Sequence, residues 1–127
     1  MPIERLKIDG MQNAPTFSQV VRSGNLVFVA GQTATDAAGN VVAKGDITGL
    51  TEQVMQNMQR CLTAAGADFS KVVKTTVYIT DARYREAVGA VRNKYFAGNL
   101  PASTLVVCAG LAQPEYLVEI EAIAVLD

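Results

Sequence analysis

Apolar positions along this chain change their spacing at intervals, and each change marks an element. Phe17 to Arg22 and Leu26 to Gln32 are β-rich runs separated by Ser23, Gly24 and Asn25, the signal for a hairpin. Asp36 to Gly45 reads as a loop. From Ile47 the apolar residues fall at Leu50, Val54, Met58, Cys61, Leu62 and Ala65, a helical period that closes at Gly66. Asp46 or Thr48 is the expected N-cap, because a side-chain oxygen there can accept from unpaired first-turn N–H groups. Val72 to Thr80 alternates, with Val73, Thr75, Val77 and Ile79 on one face and Lys74, Thr76 and Tyr78 on the other.

A second helix is expected from about Ala82 to Phe96, with Asp81 as its cap, Gly98 ending it, and Tyr84, Ala87, Val88, Val91 and Tyr95 as its apolar stripe. After Pro101, Ser103 to Leu111 is nearly continuous in apolar residues, the pattern of a strand covered on both faces. Tyr116 to Leu126 alternates again, placing Leu117, Glu119, Glu121, Ile123 and Val125 together. The order is ββαβαββ, an α+β fold with a mixed sheet and both helices on one face. The other face of the sheet is left needing cover.

No repeat or linker divides the 127 residues, so residues 1–127 read as one domain. Half the residues are apolar and 18% are charged, which excludes a disordered chain. A mean hydropathy of +0.20 without any Trp points to apolar surface buried between subunits. With a net charge of −1 and no basic stripe, nucleic acid is a poor partner. No apolar run approaches the roughly 18 residues a membrane helix needs, and MPIERLKIDG lacks the apolar core of a signal peptide, so no membrane association and a cytoplasmic address are expected. Cys61 and Cys108 read as small buried hydrophobes rather than a disulfide. The absence of histidine removes the Ser/His/Asp triad, the Cys/His dyad and histidine metal sites, leaving proton transfer to carboxylates, Tyr, Lys, Cys or water.

Glu119 and Glu121 stand two residues apart on one strand face, about 6.5 Å at ~3.3 Å rise per residue. Burial of that face would raise at least one of their pKa values and suit it to acid–base work. From the residues alone, solvation or pairing with Lys74 is the simpler reading. Gly31 ends a buried strand, where glycine admits a ligand or another backbone. Ser103 and Thr104 stand at the mouth of a strand, fit for polar ligand contacts or for satisfying a turn. Cys108, among Leu105, Val106, Val107 and Ala109, reads as packing. No Gly-rich phosphate cradle and no metal-spaced ligand cluster is visible.

Four segments together carry a family resemblance: PTFSQVVRSGNLVFVAGQ (Pro15 to Gln32), LTAAGADFSKVVKTTVYITD (Leu62 to Asp81), NKYF (Asn93 to Phe96) and PASTLVVCAGLAQPEYLVEIEAIAV (Pro101 to Val125). Over essentially its whole length the chain resembles the RidA/YjgF family of enamine/imine deaminases. The resemblance implies a chorismate-mutase-like fold, a homotrimer with ligand clefts between subunits, and hydrolysis of reactive 2-imino or 2-enamino acids to 2-keto acids and ammonia without metal or organic cofactor. It further implies that Glu119 holds the attacking water and that the Gly31 backbone lines the cleft. Ser103 stands where active deaminases hold the arginine that clamps the substrate carboxylate, Leu105 stands for a cleft cysteine, Phe17 for a tyrosine and Gly89 for a helix asparagine. A hydroxyl cannot reproduce the bidentate grip of a guanidinium. The expectation is therefore a deaminase of some other small enamine or imine, such as an aminomuconate-like intermediate, rather than a standard 2-iminobutanoate or 2-aminoacrylate deaminase. The alternative is a non-catalytic trimer binding a metabolite or partner, and ribonuclease activity ranks last.

Overall fold

The computed structural model describes residues 2–127. The strands are β1 (Ile3–Leu6), β2 (Val20–Ser23), β3 (Leu26–Gln32), β4 (Val72–Ile79), β5 (Ala102–Val107) and β6 (Val118–Val125), with helices α1 (Ile47–Ala64) and α2 (Arg85–Phe96). They form one six-stranded sheet in the order β1-β2-β3-β6-β4-β5. Only β4 and β5 run parallel, across the connection that contains α2. The expected α+β architecture is present, with one strand more than the pattern revealed. β1 is short and mostly exposed, and its pairing with β2 sets Glu4 opposite Arg22 rather than burying an apolar face.

Burial follows the alternation. In β6, Val118, Ile120, Ala122 and Ala124 are buried while Glu119, Glu121, Ile123 and Val125 stand on the opposite face. Val27 and Val29 of β3 and Val77 and Ile79 of β4 complete the apolar side, against which α1 lays Leu50, Val54, Met58 and Leu62. Val88, Val91 and Phe96 of α2 join the same core, and Phe96 meets Phe69 edge to face with ring centroids 5.3 Å apart. The other face carries the apolar stripe Val21–Phe28–Ile123, joined by strand pairing and with Phe28 still 42% exposed.

Helix ends follow local chemistry. Asp46 occupies the N-cap position of α1, although its side chain makes no capping bond, and Thr48 lies inside the helix. Gly66, at φ +79°, takes the left-handed turn that lets Ala67 N–H donate to Leu62 O at 2.8 Å. Asp81 accepts from Arg83 N–H, and the first turn after it is a 3-10 turn, so α2 proper begins at Arg85.

Several expectations are corrected. Val73 is 47% exposed because the pairing of β4 with β6 shifts between Val72 and Lys74. The last strand starts at Val118 rather than Tyr116, since Tyr116 N–H closes a turn onto Gln113 O. The segment from Ser103 is not covered on both faces: β5 is an edge strand with β4 as its neighbour, and Ser103, Leu105 and Val107 are exposed. Cys108, just past its end, is half-buried with its thiol toward Ile79 O, whereas Cys61 is fully buried and pushed up to about 12 by that burial.

The loop after β3 is tied to α1 by the buried Asn57 and the half-buried Gln53. Asn57 Nδ2 donates to Thr33 O and Thr35 O, both at 2.9 Å, and Gln53 Nε2 donates to Thr35 O and to Asn57 Oδ1. Removing Asn57 leaves the Thr33 carbonyl without that donor beside the core. Asn57→Ala should therefore cost about 2 kcal/mol, the scale of a stranded buried polar group, read as a lower denaturant midpoint. An unchanged midpoint would show that the loop holds itself.

Candidate functional site

A cleft of about 340 Å³ opens at the end of β3, lined by Phe17, Gln19, Gly31, Thr35, Tyr116 and Glu119 among others. Its geometry comes from one extra residue. Val29 pairs with Ala122 but Gln32 pairs with Ile120, so β3 carries three steps where β6 carries two, and the strand bulges at Ala30 and Gly31. A Cβ added to Gly31 would come within 2.8 Å of Glu119 Cδ and 3.0 Å of its Cγ. With glycine there, the carboxylate lies directly against the β3 backbone, and any larger residue would displace the Glu119 side chain from this position. Gln32, 2% exposed, secures the bulge by donating to Gln19 Oε1 at 2.8 Å and to Ala30 O at 3.0 Å.

Glu119 is half-buried, and burial, then the neighbouring Glu121 charge, raises its pKa above the ordinary carboxylate value. Tyr78, in register with Glu119 on β4, donates its hydroxyl to Glu121 Oε1 at 3.3 Å and is itself held above its usual range, first by the Glu121 charge. Lys74 does not pair with either glutamate; its ammonium donates to Thr104 Oγ1 at 2.6 Å. Among the described residues Glu119 therefore has no ion-pair partner, and stays poised to hold or exchange a proton.

The structure divides the candidate residues into groups. Phe17, Gly31 and Glu119 meet in the cleft. Ser103 and Leu105 lie on β5, in register with Thr75 and Val77 and so on the helix-side face, while Thr104 points with Lys74 to the opposite one. Gly89 sits within α2, where an added Cβ would meet nothing within 4 Å, so packing does not demand glycine there. Tyr116, Gln19 and Gln32 went unrecognised as cleft residues. The signal for Tyr116 was the Pro114–Glu115 turn, which swings it back toward β3; the glutamines left no local trace. A larger depression of about 610 Å³, between residues 7–9 and the outer side of α1, is lined mainly by exposed polar chains such as Gln56, Gln59 and Arg60 and holds no comparably desolvated acid.

The one-sided sheet and its carboxylate cleft define a small α+β protein with a candidate acid–base site. The chain belongs to the endoribonuclease L-PSP family, that of the RidA/YjgF proteins, whose family model matches residues 9–126. It is 38% identical over 117 residues to a RutC family protein of Pyrococcus horikoshii, covering 89% of this chain and 92% of that one. It is 37% identical over 109 residues to the 2-iminobutanoate/2-iminopropanoate deaminase of Rattus norvegicus, covering 86% and 79%. The crystal structure of Escherichia coli TdcF with bound serine superposes with a TM-score of 0.89 at 26% identity, covering 98% of this chain and 99% of that one. Among the described residues no helix is long and apolar enough to cross a membrane.

A raised folded-state pKa means that folding favours protonated Glu119. The stabilising contribution is complete below the ordinary value of 4.5 and is lost as pH climbs through the raised folded value. Glu119→Gln does not titrate, so its stability relative to the parent should rise across that window and then level off. Chemical denaturation at several pH values checks this, and a difference independent of pH would refute it.

Proposed function

We propose that the chain is a RidA-like deaminase that hydrolyses a reactive enamine or imine to a carbonyl product and ammonia. The observation that carries this is Glu119: a half-buried carboxylate without a cationic partner, held against the Gly31 bulge in a cleft of small-molecule size. Relatives named as deaminases of 2-imino acids supply the reaction class. Imine hydrolysis needs water added to the C=N carbon and a proton delivered to nitrogen. Glu119 accepts one water proton as the C–O bond forms and passes it to the imine nitrogen, giving a carbinolamine; it then takes the hydroxyl proton as the C=O bond forms and hands it to nitrogen as the C–N bond breaks, so that both water protons leave on ammonia while the cleft holds the substrate. No group outside the carboxylate, the substrate and water takes part.

The reading includes an assembly. Phe28, Ile123 and Leu26 leave an apolar stripe on the uncovered face, and the exposed β5 edge carries Leu105 and Val107. A homotrimer would cover that face and set the Ser103, Leu105 and Gly89 region of one subunit against the Glu119 cleft of the next, forming a small-molecule site between subunits. Light scattering should give three times 13.5 kDa. A monodisperse monomer at micromolar concentration would sink the assembly.

By the resemblance, Ser103 occupies the place of the carboxylate-clamping arginine, so small 2-imino acids should be slow substrates. A missing charge-assisted partner in a partly desolvated site costs a few kcal/mol, or about two orders of magnitude in rate at ~1.4 kcal/mol per tenfold. The same feature favours the second reading, a non-catalytic metabolite-binding trimer. A ribonuclease has the least support, in a chain of net charge −1. Imines generated in situ by amino-acid oxidases, with ammonia as readout, separate the readings. The expectation is acceleration of some imine that Glu119→Gln abolishes, with 2-iminobutanoate turned over poorly until Ser103→Arg partly restores it. Parental rates in Glu119→Gln would remove the glutamate from the mechanism.

A further inference from the structure

Among the described residues, Arg92 is the one buried basic side chain, at 9% exposed, on the core side of α2. Its Nη1 donates to Asn93 Oδ1 at 2.8 Å, its guanidinium lies 5.0 Å from the Phe96 ring centroid, and its Nε is buried with no hydrogen-bond partner. No carboxylate among the described residues forms an ion pair with it. An apolar side chain of similar length would fill the space without the cost of burying an unpaired cation. The remaining contact is therefore informative: Nη2 donates to Thr75 Oγ1 at 3.0 Å, and Thr75 Oγ1 donates to Ser103 Oγ at 3.1 Å.

Each hydroxyl has one proton to give. Thr75 accepts from the guanidinium and spends its proton on Ser103; Ser103 accepts from Thr75, and its own proton has no acceptor among the described residues, on an exposed position of β5. The three groups form a donor chain with a cation at the buried end and a free O–H at the surface. Such chains polarise in one direction, and the terminal donor favours an acceptor that carries negative charge.

We infer that Arg92, acting through Thr75 and Ser103, is a positioning and specificity-determining residue that gives the ligand site a preference for carboxylate-bearing small molecules. This rests on the proposed deaminase site, in which Ser103 faces the ligand, and it names the charge behind the serine.

The test is a binding measurement on the intact protein, comparing 2-oxobutanoate with its uncharged amide, 2-oxobutanamide, by titration calorimetry. The parent should bind the acid more tightly than the amide. Arg92→Met and Ser103→Ala should each weaken the acid about tenfold, or ~1.4 kcal/mol, and leave the amide unchanged. Ser103 is exposed, so Ser103→Ala tests the chain even if Arg92→Met fails to fold. An unaltered acid-to-amide ratio in either folded variant, or no binding of the acid by the parent, overturns the inference. Binding and turnover also fail separately. An Arg92-dependent acid preference in a protein that hydrolyses no imine would refute the deaminase reading and keep this one; equal imino-acid turnover by parent and Arg92→Met would do the reverse.

Discussion

Two helices are enough to cover one face of a six-stranded sheet, and everything distinctive about this molecule follows from the face they leave open. The covered side takes the apolar half of every alternating strand. The open side takes the remainder, and that remainder is mixed: Glu119, Glu121, Tyr78 and Lys74 stand beside Phe28 and Ile123. A sheet face built only for solvent would not carry Phe28 at its centre, and one built only for a core would not carry two glutamates. The mixture suits a surface whose apolar part is covered and whose acidic part borders a cavity.

Within that face, the bulge in β3 decides which glutamate differs from an ordinary surface acid. Glu119 and Glu121 share a strand and an orientation, yet only Glu119 lies against the Gly31 backbone, where no side chain holds it off. Burial is the larger cause of its raised pKa and repulsion from Glu121 the smaller. Tyr78 donates its hydroxyl to Glu121 rather than to Glu119, so Glu119 keeps its raised pKa without a side-chain donor to offset the burial. Further cover of this face would add desolvation to Glu119 first, in the same direction.

Much of this was legible in the sequence because it depends on local periodicity. The hairpin, α1 closing at Gly66, and the shared face of Glu119 and Glu121 are read from neighbours along the chain. What was not legible depends on contacts between distant segments. β5 looked like a strand buried on both faces because its composition is apolar, but composition does not say that β4 would be its neighbour at a sheet edge. Tyr116 looked like the start of a strand until its N–H was seen to close a turn. Arg92 lies on the buried side of α2 next to Val88 and Val91, and a stripe drawn through apolar residues passes over it. The Gly31 signal was readable as close approach, but not that its neighbour would be Glu119.

In the proposed ligand site, the arrangement around Ser103 would retain part of the attraction that a direct cation supplies. A guanidinium in contact with a carboxylate at about 4 Å is worth roughly 4 kcal/mol at an effective dielectric of 20. Passed through two hydroxyls, with steps of 3.0 and 3.1 Å and a final hydrogen bond of ordinary length, the same charge stands at most ~9 Å from the ligand and is worth roughly 2 kcal/mol by the same rule. Half the attraction survives, and the bidentate geometry does not. A ligand held this way is selected for being anionic but is not gripped in one orientation, since a single O–H fixes one oxygen and leaves the carboxylate free to turn. In the proposed intersubunit site, small imino acids, with little else to hold them, would lose most under that change, and a larger substrate reaching both Phe17 and Leu105 would lose least. On the proposed function, a serine at position 103 would select for the size and shape of the substrate as much as for its charge.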